Sequence, residues 1–157
     1  MQELFAGAGA RGAEDAWMTL ALEIEHNKAL NQVFVGGTVD IHKCFDQVSR
    51  VLVAKLAKIA GMPHNVIDAY TSFQDQLGMH NALAGCIGTA YRRKCGIPQG
   101  CPLSMMFMAL IMRPWILMVN ELPGIGPRVL ADDILVLATG QSPYDSFAQA
   151  YDLSLIH

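Results

Sequence analysis

The sequence predicts an α+β domain, an antiparallel sheet packed against helices, and three features of its 157 residues carry that expectation. Two short stretches, 32–41 and 128–138, are rich in β-branched and aliphatic residues and are too short for convincing helices. The second of them carries two adjacent acids, Asp132 and Asp133, between apolar runs, so that it reads as a hairpin with the acids at its tip. Four longer runs, 14–28, 46–60, 64–77 and 104–120, have helical spacing or are apolar throughout.

Composition narrows the functional classes. The chain is one domain's worth and can bury a real core. With 52% hydrophobic and 16% charged residues it is neither a disordered tail nor a polybasic arm. A net charge of −3 does not advertise a polyanionic partner, although a local basic patch could still bind one. Cys44, Cys86, Cys95 and Cys101 lack zinc-finger spacing and do not form a small secreted framework. Together with the absence of a basic head and apolar block at the start, they point to reduced thiols in an intracellular protein, cytoplasmic or nuclear.

The first helix, from Glu14 to about Lys28, places Trp17, Leu20, Ala21 and Ile24 on one face and two acids in its first turn. Residues 32–41 alternate as a strand, in which Gly36 and Gly37 mark a weak point or a close backbone approach. Asp46 is placed to cap a helix to about Ala60, buried along Val48, Leu52, Leu56 and Ile59 and stopped by Gly61 and Pro63. A further helix over 64–77 carries Val66, Ile67, Tyr70 and Phe73. Residues 80–94 read as a loose hairpin around Gly85 and Gly88, ending in Arg92, Arg93 and Lys94. That basic triplet is either solvated surface or a phosphate contact.

The stretch G-I-P-Q-G-C-P-L-S at 96–104 combines prolines that stiffen the backbone with glycines that let it approach a ligand. Amides at the start of the following helix would suit a phosphate or sugar oxygen. That helix, 104–120, is apolar enough to raise a membrane span, but Arg113 and Pro114 interrupt it. A buried core helix, kinked at Pro114, is the better reading, with no membrane partner.

Three segments acquire meaning together: V-D-I-H-K-C-F-D at 39–46, the 96–104 loop, and L-A-D-D at 130–133. A strand ending in Asp40 beside a hairpin bearing Asp132 and Asp133 is what a two-metal site requires, since carboxylates on rigid elements must hold two divalent ions about 4 Å apart. Magnesium takes such hard oxygen ligands and shares its shell with substrate phosphates; manganese is the alternative. Taken alone, the Asp-Asp pair also fits an ordinary surface turn.

In this order the segments closely resemble the reverse transcriptases, in particular the palm of the non-LTR retrotransposon and group II intron type. Residues 40–46 match the first catalytic motif of that family, 96–104 its template and nucleotide loop, and 131–133 its Y-A-D-D hairpin. Residues 5–15 are loosely similar to a stretch that precedes the first motif, with Arg11 and Asp15 in place but Gly12 where a serine is usual. The resemblance implies a right-hand polymerase palm over 32–157 preceded by a finger-side segment and helix over 1–31. It also implies RNA-directed DNA synthesis on an RNA template and DNA primer, with deoxynucleoside triphosphates as substrates. Asp40 and Asp132 would be the principal metal ligands, supported by Asp133 and the carbonyl of Ile41. Phe45 would pack against the incoming sugar, Gln99 and Gly100 would line the nucleotide, and Arg11 would contact template or triphosphate. Pro98, Ser104 and Arg93 would lie along template and primer.

Departures are visible too. Leu130 stands where the family has an aromatic ring, Met105 where it has proline, and Gly36 and Gly37 where the strand is aliphatic. The resemblance also leads one to expect further finger segments before Met1 and a thumb after His157, and hence weak polymerisation by these residues alone. The competing reading is a decayed palm that binds RNA or serves as a structural module without catalysis.

Overall fold

A computed structural model describes residues 12–154. The second apolar strand region folds back as expected: β4 (Ile125–Leu130) and β5 (Asp133–Ala138) form an antiparallel hairpin. β1 (Val35–Asp40) pairs with the other side of β5, giving the strand order β1-β5-β4. β5 is central because it is apolar on both faces, with Ile134, Val136, Leu137 and Ala138 all 5% exposed or less. Burying each of the larger ones stabilises the fold by about 1.5–3 kcal/mol relative to exposure. Pro127 is tolerated in β4 because that strand is an edge, where a missing amide costs no ladder bond.

Directly opposed residues of antiparallel strands point to the same face. Asp40, Asp133 and Leu130 therefore share one face with Thr38, Leu135 and Arg128, while Val39, Ile134 and Val129 share the other. α6 (Pro143–Ser154) packs on that second face, together with Trp115 of α5 (Pro102–Val119). Gly37 makes room for it, since a Cβ there would sit 2.8 Å from the ring of Phe147. The close approach suggested by the paired glycines is thus made by a helix aromatic, and the aliphatic bulk missing from β1 is replaced by Phe147. Helices are not confined to the face away from the acids. α1 (Ala13–Ala29) lies on the acid-bearing face, where Glu23 forms an ion pair with Arg128.

The buried side of α1 also differs from its sequence pattern. Leu20 and Asn27 are buried, whereas Trp17 is 57% exposed, because the helix turns its Leu20–Glu23–Asn27 edge inward. Asn27 tolerates this by donating to the Glu23 carbonyl at 2.7 Å. α5 runs through Pro114 as one helix and buries Phe107, Met108, Met112, Trp115, Ile116 and Val119. It is long and apolar enough to cross a membrane by composition, yet those six side chains belong to the protein interior.

The described chain divides into two compact units, one holding residues up to His42 and from Ile111 onward, the other Lys43–Leu110. In the second unit the single helix expected over 46–60 is broken. α2 (Cys44–Gln47) stops at extended Val48, and α3 (Arg50–Ile59) starts afresh with Ser49, not Asp46, as its cap, its hydroxyl accepting from the Leu52 amide at 3.4 Å. The break rotates the buried stripe to Val53 and Ala57 and leaves Leu52 and Ile59 exposed. α4 (His64–Gln76) follows, then a hairpin of two-residue strands, β2 (Ala82–Leu83) and β3 (Cys86–Ile87). Its turn residues Ala84 and Gly85 both have positive φ, as a type I′ turn requires.

Candidate functional site

The β4–β5 connection has two residues, Ala131 and Asp132. Only the first has positive φ, at 57°, the pattern of a type II′ turn, which matches the twist of the flanking strands. This turn makes Asp133 the first residue of β5 and sets it opposite Leu130 on one side and Asp40 on the other. Two carboxylates 93 residues apart in numbering are thereby cross-strand neighbours, and Asp132 stands beside them on the turn. Asp40 and Asp133 are exposed and Asp132 and Ile41 half-buried.

The in-register partner of Asp40 is Asp133 rather than Asp132. Among the described residues, no group of three His, Cys, Asp or Glu side chains is drawn close enough to hold a metal ion, so the expected three-acid cage is realised as a pair with an adjoining turn acid. Like charges directly opposed across a ladder destabilise it, by up to about 1 kcal/mol at low salt. Arg128 does not offset them; it is 8% exposed, turned to Glu23 and to the Gly126 carbonyl. None of the three acids forms an ion pair among the described residues. Exposed, unneutralised oxygens of this kind are the donors a hard divalent cation takes. Beside Asp133 lies a hollow of about 260 Å³, walled by Trp17, Thr38, Leu130 and Leu135, in which Leu130 occupies the place of the expected ring.

The loop residues belong to the second unit, and backbone bonds fix them there. The Gly96 amide donates to the Val48 carbonyl and the Ile97 amide to that of Phe45, both at 2.8 Å. Gly96 has φ +88°, and a Cβ on it would sit 2.9 Å from the Asp46 carbonyl oxygen. Its close approach is therefore to its own chain rather than to a ligand. Gly100, at φ +81° with open space around it, keeps the role of an accessible glycine. Phe45 is half-buried, Pro98 half-buried, and Gln99 and Gly100 exposed.

Ser104 is 1% exposed, and its hydroxyl donates to the Pro98 carbonyl at 2.8 Å, so it holds the loop from within instead of facing a strand of nucleic acid. Tyr70 hydrogen-bonds Ser104 and receives the Gln74 amide at 2.7 Å. Burial pushes the Tyr70 hydroxyl above its ordinary value, against the opposing pull of those two hydrogen bonds. Arg50 donates to the carbonyls of Gly96 at 2.9 Å and Gln74 at 3.1 Å, tying loop to α4. Arg93 pairs with Asp46; hydrogen bonds to Tyr91 and to Asp46 raise its guanidinium further above the usual value.

A cleft of about 350 Å³ brings together Arg93, Pro98 and Gln99, three residues singled out from sequence. Arg50, Gln74 and Tyr70 complete the support, and sequence reasoning missed them. The available signal was a polar residue, Gln74, one turn beyond Tyr70 and two beyond Ile67 on the inward side of α4. Arg11 lies outside the described residues.

A family model described as reverse transcriptase (RNA-dependent DNA polymerase) matches residues 10–152. No curated protein matches the chain at a significant level.

Proposed function

Because this chain belongs to the reverse transcriptase (RNA-dependent DNA polymerase) family, we propose that Asp40, Asp132 and Asp133 form its catalytic centre for copying RNA into DNA. The observation that carries the reading is the β1–β5 register, which sets Asp40 directly across from Asp133 at the tip of the acid hairpin. Paired, exposed carboxylates that meet no basic partner among the described residues are a liability unless a cation neutralises them.

In the proposed reaction a primer 3′-hydroxyl attacks the α-phosphate of a deoxynucleoside triphosphate, and pyrophosphate leaves. Two magnesium or manganese ions held by the three carboxylates and the Ile41 carbonyl would supply charge stabilisation to the entering and leaving oxygens. The hollow beside Asp133 would receive the primer-terminal sugar, with Leu130 and Thr38 as walls. Gln99 and Gly100 would contact the nucleotide, Pro98 and Arg93 the template, and Phe45 the sugar face that excludes a 2′-hydroxyl. Arg11 would meet template or triphosphate. The G-I-P-Q-G-C-P-L-S loop and the F-D spacing after Asp40 favour the non-LTR or group II intron type, working on RNA inside the cell.

A second reading, a non-catalytic RNA-binding or structural palm, is favoured by Leu130 in place of an aromatic and by the absence of a three-acid group among the described residues. Metal titration separates the two. The catalytic reading expects manganese or magnesium to raise the melting temperature of the wild-type chain through binding to the folded form, and Asp40→Asn and Asp132→Asn each to remove most of that rise. An equal response in wild type and both variants would favour the non-catalytic module.

A further inference from the structure

Two helices carry large apolar side chains on their solvent side, with nothing among the described residues to cover them. On α3, Val51, Leu52 and Ile59 are 66%, 45% and 81% exposed, and on α1, Met18 and Leu22 are 68% and 65% exposed. Single apolar side chains are ordinary on a protein surface. Here the spacing gathers them. Val51, Lys55, Lys58 and Ile59 stand at helical intervals, as do Glu14, Met18, Leu22 and Glu25, so each set forms one stripe opposite the buried side of its helix.

The charges on the two stripes are opposite. α3 contains Arg50, Lys55 and Lys58 and no acid. Arg50 is turned inward to the Gly96 and Gln74 carbonyls, whereas both lysines are exposed and form no ion pair among the described residues. α1 sets Glu14, Asp15, Glu23 and Glu25 against Lys28. Glu23 is spent on Arg128, Asp15 accepts from the Gly12 amide at 2.8 Å, and Glu25 holds Lys28 at 3.0 Å. Glu14 has no ion-pair partner among the described residues, so the α1 stripe keeps a negative surplus. This asymmetry selects the partner. Two α3 stripes face to face would oppose lysine to lysine, and two α1 stripes would gather acids whose own lysine is already engaged. α1 against α3 buries both apolar sets and sets carboxylates beside ammonium groups.

We propose that the occupant of each stripe is a second copy of this chain, the α1 stripe of one copy docking on the α3 stripe of another. Such a contact joins two different patches, so it either closes reciprocally between two copies or continues from copy to copy. Helices of 17 and 10 residues offer a contact below about 1,200 Å², so the association is transient, with a Kd of about 10–100 μM. It stands apart from the copying reaction and uses none of the acids at the hairpin tip.

Sedimentation velocity of the 157-residue chain, from about 2 to about 200 μM, reads the association directly. The weight-average mass of the wild type should rise about 1.5-fold or more over that range. Lys55→Glu/Lys58→Glu and, separately, Met18→Asp/Leu22→Asp should each stay monomeric, because each lacks one half of the contact. Mixed in equal amounts, the two should form a one-to-one dimer and nothing larger, since the first supplies an intact α1 stripe and the second an intact α3 stripe. If either doubly substituted chain fails to fold by circular dichroism, Ile59→Asp on α3 or Leu22→Asp alone on α1 takes its place.

Self-association of either variant to the wild-type extent would overturn the proposal in favour of a pairing between like stripes. A mixture that stays monomeric, or a wild type that is still monomeric at about 200 μM, would overturn it outright. If that monomer binds RNA and Lys55→Glu/Lys58→Glu abolishes the binding, the α3 stripe belongs to a nucleic-acid backbone instead.

Discussion

Gly96 and Gly100 sit four residues apart in one loop, both at φ above +80°, and they should respond very differently to alanine. At Gly100 nothing lies within 4 Å of a built Cβ, so Gly100→Ala meets only the left-handed backbone penalty. That penalty is about 1–2 kcal/mol, partly offset by about 0.4–1 kcal/mol from a less flexible unfolded chain, leaving a net loss near 1 kcal/mol. At Gly96 the same terms apply, and the new methyl also lands 2.9 Å from the Asp46 carbonyl oxygen and 3.0 Å from that of Phe45. Those atoms are backbone and cannot swing aside. An overpacking term of about 1–3 kcal/mol adds to the strain, so Gly96→Ala should cost about 2–4 kcal/mol.

Urea unfolding followed by circular dichroism reads the totals. Hydrogen exchange of the Ile97 amide, bonded to Phe45 at 2.8 Å, reads the local seam that ties the loop to α2. Faster exchange at Ile97 in Gly96→Ala but not in Gly100→Ala is expected. Equal costs for the two substitutions would refute the claim that the Gly96 contact, and not merely its dihedral, selects glycine.

Three further outcomes follow from the same geometry. Asp40→Asn should raise the melting temperature in chelator, because it removes like-charge repulsion worth up to about 1 kcal/mol, while removing the gain from manganese; a loss of stability in chelator would contradict the cross-strand pairing with Asp133. Glu23→Gln should cost about 2 kcal/mol by leaving the buried Arg128 guanidinium without its anion, less than for a fully buried pair because Glu23 is 34% exposed; adding Arg128→Leu should then cost less than Arg128→Leu alone, and additive costs in denaturant titration would deny the coupling. Tyr70 has its hydroxyl pKa raised by burial, so its contribution to stability is complete below the unfolded value near 10 and is lost as pH rises through that value toward the higher folded one. Tyr70→Phe should therefore flatten the alkaline fall in unfolding free energy relative to wild type, and an unchanged slope would show the hydroxyl to be solvated.

Local pattern was enough for much of this. The hairpin with acids at its tip, the stop at Gly61 and Pro63, the apolar helix running through Arg113 and the Gly85 turn all depend on residues within a few positions of one another, and such short-range preferences are written in the chain. Membership of the reverse transcriptase family at large, read from spaced segments, also held, since it rests on residue identity and order.

What needed the tertiary structure were choices among distant partners. Asp40 could have faced either acid of the hairpin; the turn's dihedral at Ala131, fixing where β5 begins, sets it against Asp133. Arg128, the basic residue nearest the acid pair in sequence, answers Glu23 on a helix 105 residues away. Ser104 looked available to a ligand, but the loop's own carbonyl claims it, and Gly96 serves the backbone behind it. Helix α3 takes its cap from Ser49 and not Asp46, both good caps by local propensity, and the break between them falls at buried Val48. In each case the deciding energy is a packing or pairing term between residues far apart in sequence, and it exists only once the chain has closed on itself.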